Sequence, residues 1–282
     1  MALLLIASFI WAFSFGLIKK YLGGLDASFV AFIRLALAAL LFLPLLRPRR
    51  SSLSLTVRLV VLGAVQFGLM YVFYIQSFRF LAAYQVALFT IFTPLYVAAA
   101  DDLWEKRFRP LHFWTALLAV AGSAVVVYSR LGDTDLLAGF ALVQASNLCF
   151  ALGQVSYRHW MPAGRSWKDR DVFAWLYLGG TAAAALAMLF ISAPYDLSLN
   201  GRQLLVLLYL GLLASGVGFF LWNVGSKKVS AGILAVFNNV KIPLAIAVSL
   251  LFFHEQTNLA RLALGGAVIL LALAMNSRRG QT

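Results

Sequence analysis

The chain has 282 residues, of which 62% are hydrophobic and only 12% are charged. Soluble domains have about 45–50% apolar and about 25% charged residues, so this chain has too little charge to cover a surface that faces water. Apolar stretches of about 20 residues recur from end to end, as expected for membrane-spanning helices. We therefore predict an all-α integral membrane protein and exclude a soluble globular domain.

The net charge of +13 suggests a nucleic-acid partner at first sight, but the distribution of the charges explains it without one. The three histidines lie at span edges and lack the spacing of metal ligands. No phosphate-binding loop, dinucleotide fingerprint or nucleophile elbow occurs, and the single cysteine, Cys149, excludes an internal disulfide. We therefore predict no metal, no cofactor, no nucleic-acid partner and no enzymatic activity.

Apolar runs bounded by charged residues, glycines and prolines predict ten membrane spans. The first run lacks a basic region and a cleavage signal, so we expect it to be retained as a span. The connections are short, and almost no soluble domain is expected. The predicted spans, in chain order, are 2–20, 26–46, 56–78, 80–100, 110–129, 135–157, 171–193, 202–224, 230–252 and 259–277.

Lysine and arginine are distributed unevenly between the two sides of the predicted bundle. With the N-terminus in the cytoplasm, the inner loops contain 15 of these residues and the outer loops contain 6, while Arg34 and Lys241 fall inside spans. An excess of positive charge in inner loops is the usual bias of multi-pass membrane proteins. We predict a multi-pass protein of the cytoplasmic (inner) membrane with both termini in the cytoplasm.

Two segments of the sequence resemble each other across an interval of five predicted spans. The stretch "TIFTPLYVAAADDLWEKRFRP" has Pro94 in mid-span and Glu105 at the membrane edge, 11 residues later. The stretch "NNVKIPLAIAVSLLFFHEQTN" has Pro243 in mid-span and Glu255 at the edge, 12 residues later. A repeat of five spans, which is an odd number, places the second copy in the opposite orientation. The sequence therefore predicts two inverted five-helix repeats.

The two predicted repeats cover residues 1–130 and 131–282. Inverted repeats are typical of secondary transporters, in which helix breaks at matching positions of the two halves lie near the central site. Pro94 and Pro243 are such a matched pair, and each removes a backbone hydrogen bond and can kink its helix. Prolines are also tolerated in membrane helices without any functional role. For the pair we predict a functional hinge.

Four stretches are similar to the EamA-type transporters of the drug/metabolite transporter superfamily. They are "SFIWAFSFGLIKKYL" (8–22), "SFVAFIRLALAALLFL" (28–43), "TPLYVAAADDLWEKR" (93–107) and "IPLAIAVSLLFFHEQ" (242–256). The resemblance extends over essentially the whole chain, and the order and spacing of the motifs carry it. The second copy departs from the family pattern in "NNVK" before its proline and in "HEQ" at its edge.

The resemblance implies ten helices in two inverted halves around a central cavity. It also implies a secondary transporter of small metabolites, with alternating access between the halves, in a bacterial inner membrane. Export of amino acids or related carboxylate-bearing compounds is the activity that we expect from the family. The alternative is a lipid-linked carrier or flippase of the same superfamily. The expected partners are an anionic or zwitterionic small molecule and membrane lipid.

Lys241 lies near the centre of the ninth predicted span, where a lysine costs about 2.5–3.5 kcal/mol on insertion scales. The side chain must therefore face a partner or a wet cavity. It could contact a backbone carbonyl or an asparagine, bind a carboxylate or phosphate of the substrate, or cycle a proton at a lowered pKa. No Asp or Glu lies near any span centre, which favours an anionic group from the substrate. Asn238, three residues earlier, shares its helix face.

Other spans contribute polar and aromatic side chains that we predict to line the cavity. Arg34 lies closer to the outer edge of its span, so a structural role is favoured for it over substrate contact. The resemblance marks an arginine in the second helix as typical of the family. The predicted substrate-binding set consists of Lys241, Asn238, Asn147, Gln154, Tyr74, Trp11, Trp222 and Asn223.

Overall fold

A computed structural model describes residues 1–106, 134–161, 168–191, 199–229 and 231–254, together with Ala260, Ala263 and Ala267. These residues form helices and short connections and contain no β-strand. The long helices, in chain order, are α1 Ala2–Leu22, α2 Ala27–Leu45, α3 Leu53–Ser77, α4 Ala83–Trp104, α5 Thr134–Trp160, α6 Ala174–Ile191, α7 Gly201–Ser226 and α8 Ala231–Phe253.

Six of these helices, α1 to α5 and α7, are long and apolar enough to cross a membrane, counted over the described residues. The predicted all-α membrane protein is thus confirmed. Helix limits agree with the predicted spans to within a few residues, as in Leu53–Ser77 against the predicted 56–78. The fifth predicted span, 110–129, lies outside the described residues. So does the tenth, 259–277, apart from three helical alanines. Ten helices in two inverted repeats therefore stay a prediction.

Polar side chains at three helix starts explain why those helices begin where they do. Asp26 and Ser52 accept hydrogen bonds from the backbone N–H three residues later, at the starts of α2 and α3. Asn200 and Gln203 bond each other's backbone N–H at the start of α7. Each cap satisfies N–H groups that the first helical turn leaves without an internal partner. The starts of these three spans are therefore encoded locally.

Several long helices change their winding along their length. Wider π-helical turns occur at Ile18–Leu22 in α1, Ala64–Leu69 in α3 and Tyr209–Val217 in α7. In α4, a tighter 3-10 turn at Thr90–Phe92 ends two residues before Pro94. Insertions of this kind redirect the side chains that follow and are frequent at functional sites.

Glycine lets α3 and α6 pack with their backbones in contact. A Cβ atom on Gly63 would overlap the carbonyl of Leu176, and one on Gly179 would overlap the carbonyl of Val60. Small residues permit this close approach where apolar lipid supplies no hydrophobic driving force for helix association. Helix α2 packs against α6 and α7, and α1 packs against α7 and α8. The described helices thus surround a common centre.

Candidate functional site

A cavity lies at the centre of the bundle, between α1, α2, α3, α4, α5 and α7. Its space open to the centres of water molecules is about 70 Å³, whereas one water requires about 10–15 Å³ on this measure. The cavity thus holds a few waters, and an organic solute needs side chains or helices to move apart. The lining side chains are Trp11, Ser14, Phe15, Arg34, Met70, Tyr71, Tyr74, Thr90, Thr93, Ser146, Asn147, Phe150 and Phe219.

Arg34 forms one wall of this cavity and is only 1% exposed. Its Nη2 donates a hydrogen bond to the Tyr71 hydroxyl at 2.7 Å, and its Nε donates to Ser215 Oγ at 3.3 Å. Tyr71 OH and Ser215 Oγ are 2.8 Å apart. Ser215 donates its own proton to the carbonyl of Leu210, so Tyr71 is the donor to Ser215. The guanidinium also lies 4.0 Å from the Tyr71 ring centre, a cation–π contact.

The charge of Arg34 is not neutralised within the described part of the chain. No described Asp or Glu forms an ion pair with it, and its Nη1 has no hydrogen-bond partner among these residues. A buried cation without a counter-ion is costly because hydroxyls and a ring face replace only part of its hydration. The arrangement suits an anion that enters the cavity. The sequence favoured a structural role for Arg34 over substrate contact, and the structure places its side chain in the cavity wall.

The opposite wall is built around the helix break in α4. Pro94 has no N–H to donate to the carbonyl of Thr90, four residues earlier. Thr93 Oγ1 donates to that carbonyl instead, at 2.6 Å. Asn147 on α5 donates to the carbonyl of Phe89 at 2.9 Å, and its Oδ1 lies 3.2 Å from Thr93 Oγ1. Side chains from two helices thus satisfy the broken backbone, and Asn147 positions it beside the cavity.

Three of the predicted binding residues line the cavity, namely Trp11, Tyr74 and Asn147. Trp11 is held in place by a hydrogen bond from its Nε1 to the carbonyl of Ala214, at 2.8 Å. Tyr74 packs edge to face against Phe15, with ring centres 5.7 Å apart. Asn147 is occupied by the α4 break, so its role in the free protein is to hold the wall.

Three other predicted residues are fully buried but do not line the cavity: Gln154, Trp222 and Asn223. Trp222 Nε1 donates to Gln154 Oε1 at 2.8 Å. Asn223 Oδ1 accepts from Nε2 of Gln66 at 3.1 Å. These contacts join α3, α5 and α7 next to the cavity, across a layer of aromatic rings.

The remaining predicted residues lie on α8. Asn238 is fully buried, and its Nδ2 donates to the carbonyl of Leu234 at 3.2 Å, but it is not among the lining residues. Lys241 falls within α8, and its side chain lies outside what the structure describes. Pro243 lies inside this helix, which continues to Phe253. In α4, by contrast, the winding changes at Pro94.

Tyr71 and Thr93 line the cavity but were not predicted from the sequence. Tyr71 could have been found from Arg34, because a buried arginine without a nearby acid needs hydroxyl and aromatic partners. Ser14 is 4% exposed, and its hydroxyl has no hydrogen-bond partner in the described chain. Its polar atom is therefore open to a ligand. Among the described residues, no three His, Cys, Asp or Glu side chains lie close enough together to hold a metal ion.

A cavity between membrane-spanning helices, with a buried cation in its wall that has no counter-ion among the described residues, is typical of a solute transporter. Residues 1–128 and 137–278 each match the EamA-like transporter family. The chain belongs to this family, as its sequence motifs indicated. It is therefore a multi-pass membrane protein of a family of small-metabolite transporters.

Three bacterial proteins are similar in sequence to this protein over nearly the whole of its chain. The biotin transporter of Salmonella typhimurium is 39% identical over 275 residues, which cover 97% of this chain and 91% of that protein. The biotin transporter of Escherichia coli K12 is 38% identical over 275 residues, which also cover 97% of this chain and 91% of that protein. A probable biotin transporter of Pseudomonas aeruginosa is 40% identical over 281 residues, covering 98% of this chain and 97% of that protein.

A solved crystal structure shares the fold. It is 18% identical in sequence and has a TM-score of 0.69, over 100% of this chain and 99% of that chain. The likeness extends to the whole length of both proteins.

Proposed function

We propose that the protein is a secondary transporter that carries biotin across the cytoplasmic membrane. Its relatives at 38–40% identity are named biotin transporters or probable biotin transporters. Biotin has one carboxylate, so it falls within the carboxylate-bearing class that the sequence predicted. The relatives favour biotin over the amino acids that the sequence put first. The observation that carries the proposal is the buried guanidinium of Arg34 in the cavity wall, which has no counter-ion among the described residues.

Arg34 is suited to bind the carboxylate of biotin. The guanidinium offers five N–H donors in a planar fork that matches a carboxylate, and Nη1 is without a partner among the described residues. The Tyr71 ring and the two hydroxyls hold the fork in place before the ligand arrives. An ordered guanidinium loses less entropy on binding than a flexible one. The hydroxyl of Ser14 offers a further polar contact.

Lys241 remains a second candidate for the same carboxylate. Its place near the middle of the ninth predicted span supports this role. A structural contact and proton cycling are the alternatives to it. Two cations for one carboxylate also fit alternating access, in which the anion contacts one cation in each state. The substitutions described below separate these roles.

The proposed transport mechanism is alternating access between the inverted repeats 1–130 and 131–282, with both termini in the cytoplasm. The excess of inner-loop Lys and Arg supports this orientation. The separate matches of residues 1–128 and 137–278 to one family support the two-repeat architecture. The helix break before Pro94 lies in the cavity wall and is suited to a hinge, and Pro243 is the matching position in α8. The small cavity corresponds to a state that must widen to admit substrate.

The test is a ligand-dependent thermal-shift measurement on purified protein in detergent. The ligands are biotin, biotinol, in which an alcohol replaces the carboxylate, and an amino-acid mixture. The proteins are the wild type, Arg34→Gln, Lys241→Gln and Arg202→Gln, an exposed arginine that serves as the matched control. We expect biotin at 100 times its Kd to stabilise the wild type and the control by about 2.7 kcal/mol. Arg34→Gln is expected to lose this response.

The outcomes separate the claims. A wild type that responds to amino acids and not to biotin makes the biotin proposal wrong. If Arg34→Gln keeps the full stabilisation by biotin and Lys241→Gln loses it, then Lys241 and not Arg34 binds the carboxylate. Uptake of labelled biotin into proteoliposomes by the wild type, and not by empty liposomes, then tests transport itself.

A further inference from the structure

Three buried amide side chains form a second polar layer next to the cavity. Gln66, Gln154 and Asn223 are each 0% exposed and lie on α3, α5 and α7. Gln66 donates to Asn223, and a Cβ atom on Gly153 would overlap Gln66, which places α5 directly against it. Trp222, next to Asn223, donates to Gln154. The three amides therefore belong to one cluster, which we call the amide layer.

Each amide of this layer keeps one polar atom without a partner in the described chain. These atoms are Gln66 Oε1, Gln154 Nε2 and Asn223 Nδ2. Trp222 can only donate, so Oε1 of Gln154 must face it and Nε2 stays free. If the amides of Gln66 and Asn223 were both flipped, one N–H₂ and one C=O would still be unpaired. Buried amide groups normally have hydrogen-bond partners. A layer with one open acceptor and two open donors can therefore bind a ligand that supplies the missing hydrogen bonds.

The amide layer lies one helical turn beyond the cavity on all three helices. Gln154 and Asn223 come four residues after the lining residues Phe150 and Phe219, and Gln66 comes four residues before Met70. Phe150 and Phe219 line the cavity, with their ring centres 6.0 Å apart, one helical turn from Gln154 and Asn223. Helix α3 runs opposite to α5 and α7 in the predicted topology, so all three amides fall on the cytoplasmic side of the cavity.

The distance from the amides to Arg34 is that of a small elongated solute. Tyr71 and Ser215, which bind Arg34, are five and eight residues from Gln66 and Asn223. At a rise of 1.5 Å per residue, these spacings correspond to roughly 7–12 Å along the helix axes. A cation at one end and uncharged hydrogen-bonding groups at the other suit a monocarboxylate with a polar, uncharged head.

We propose that the amide layer binds the cyclic urea of the substrate while Arg34 binds its carboxylate. This assignment rests on the proposed function, since biotin has a cyclic urea at the end opposite its carboxylate. A urea has two N–H donors and one carbonyl acceptor, which complement the open acceptor of Gln66 and the open donors of Gln154 and Asn223. Rotation of Phe150 or Phe219 joins the two polar layers into one site.

The test measures the affinities of three ligands for three proteins. The ligands are biotin, biotinol and tetrahydrothiophene-pentanoic acid, which has the ring sulfur and the carboxylate but no urea. The proteins are the wild type, the double variant Gln66→Met/Asn223→Leu and the control Gln76→Leu, a partly buried glutamine on the same helix. Replacing both partners of the Gln66–Asn223 bond by apolar groups of similar shape avoids a new unpaired group.

In the wild type and the control we expect biotin to bind at least about tenfold more tightly than the acid without urea, because unfilled buried amides penalise that analogue. The double variant is expected to lose this preference and to keep the preference for biotin over biotinol. A double variant that folds and retains the wild-type preference for urea overturns the inference alone. A wild type that binds the acid without urea as tightly as biotin also overturns it, and this needs no variant. A wild type that binds none of the ligands overturns the proposed function as well.

Discussion

The guanidinium of Arg34 lies 4.0 Å from the ring centre of Tyr71 and donates a 2.7 Å hydrogen bond to its hydroxyl. The Tyr71 side chain thus offers both an aromatic face and a hydrogen-bond acceptor to the guanidinium. No acidic residue of the described chain lies beside Arg34. The pairing leaves Nη1 open. The site is therefore organised before any ligand binds.

Tyr71→Phe separates the two contacts, because the ring stays and the hydroxyl is lost. We expect the free energy of unfolding to fall by about 1.5–3 kcal/mol, the range for hydrogen bonds to charged groups. Biotin should bind more weakly, since Arg34 is then less firmly oriented. Chemical denaturation in detergent and biotin titration measure the two effects. Tyr96→Phe, on α4 and outside the cavity lining, is the control, and equal losses in the two variants would contradict the role of Tyr71.

Asn147→Leu removes the side chain that satisfies the break in α4. The carbonyl of Phe89 loses its 2.9 Å donor. We expect a destabilisation of about 1–3 kcal/mol, the cost of leaving a buried polar group unpaired. Gln144→Leu is expected to cost less, because its bond to the same carbonyl is 3.4 Å long. Thermal unfolding of both variants checks the order, and a larger effect at Gln144 would refute it.

Gly63→Ala tests the backbone contact between α3 and α6. The added methyl group overlaps the carbonyl of Leu176 and must push the helices apart. Overpacking of this kind costs about 1–3 kcal/mol, and we expect a lower unfolding temperature and a lower yield of folded protein. Gly24→Ala is the matched control, since nothing lies within 4 Å of the added atom. Equal stability of the two variants would mean that α3 and α6 do not touch here.

Asp169→Asn disrupts a charged cluster at the end of α5 and α7. Its carboxylate accepts hydrogen bonds from Lys227 at 2.5 Å and from Tyr157 at 2.6 Å. The side chains of Lys227 and Asp169 are only 10% and 19% exposed, so salt screens this pair less than a surface pair. We expect the free energy of unfolding of Asp169→Asn to fall by about 1.5–3 kcal/mol, and this decrease should persist at high salt. Arg170→Gln, which alters a half-exposed side chain, should have a small effect. Chemical unfolding of the two variants at low and at high salt measures both effects. A decrease for Asp169→Asn that disappears at high salt would contradict the buried ion pair.

The sequence by itself determined the helices, because the ability to cross a membrane is a local property of length and apolarity. Asp26, Ser52 and Asn200 set helix starts through atoms only three residues away. Family membership also followed from motifs whose order is visible in the chain. Of the predicted substrate-binding residues, Trp11, Tyr74 and Asn147 line the cavity, and their contact with a substrate stays a prediction.

Only the tertiary structure decided which polar groups meet. Arg34 finds its partners 37 and 181 residues away, at Tyr71 and Ser215, and this depends on how α2, α3 and α7 are rotated against one another. The amide layer likewise joins Gln66 and Asn223 across 157 residues. Periodicity identifies a helix face, but packing of neighbouring helices selects what that face contacts, and the π-helical turns in α3 and α7 shift the faces further. Sequence reasoning therefore recognised the membrane helices, while the contacts that organise the site required the folded bundle.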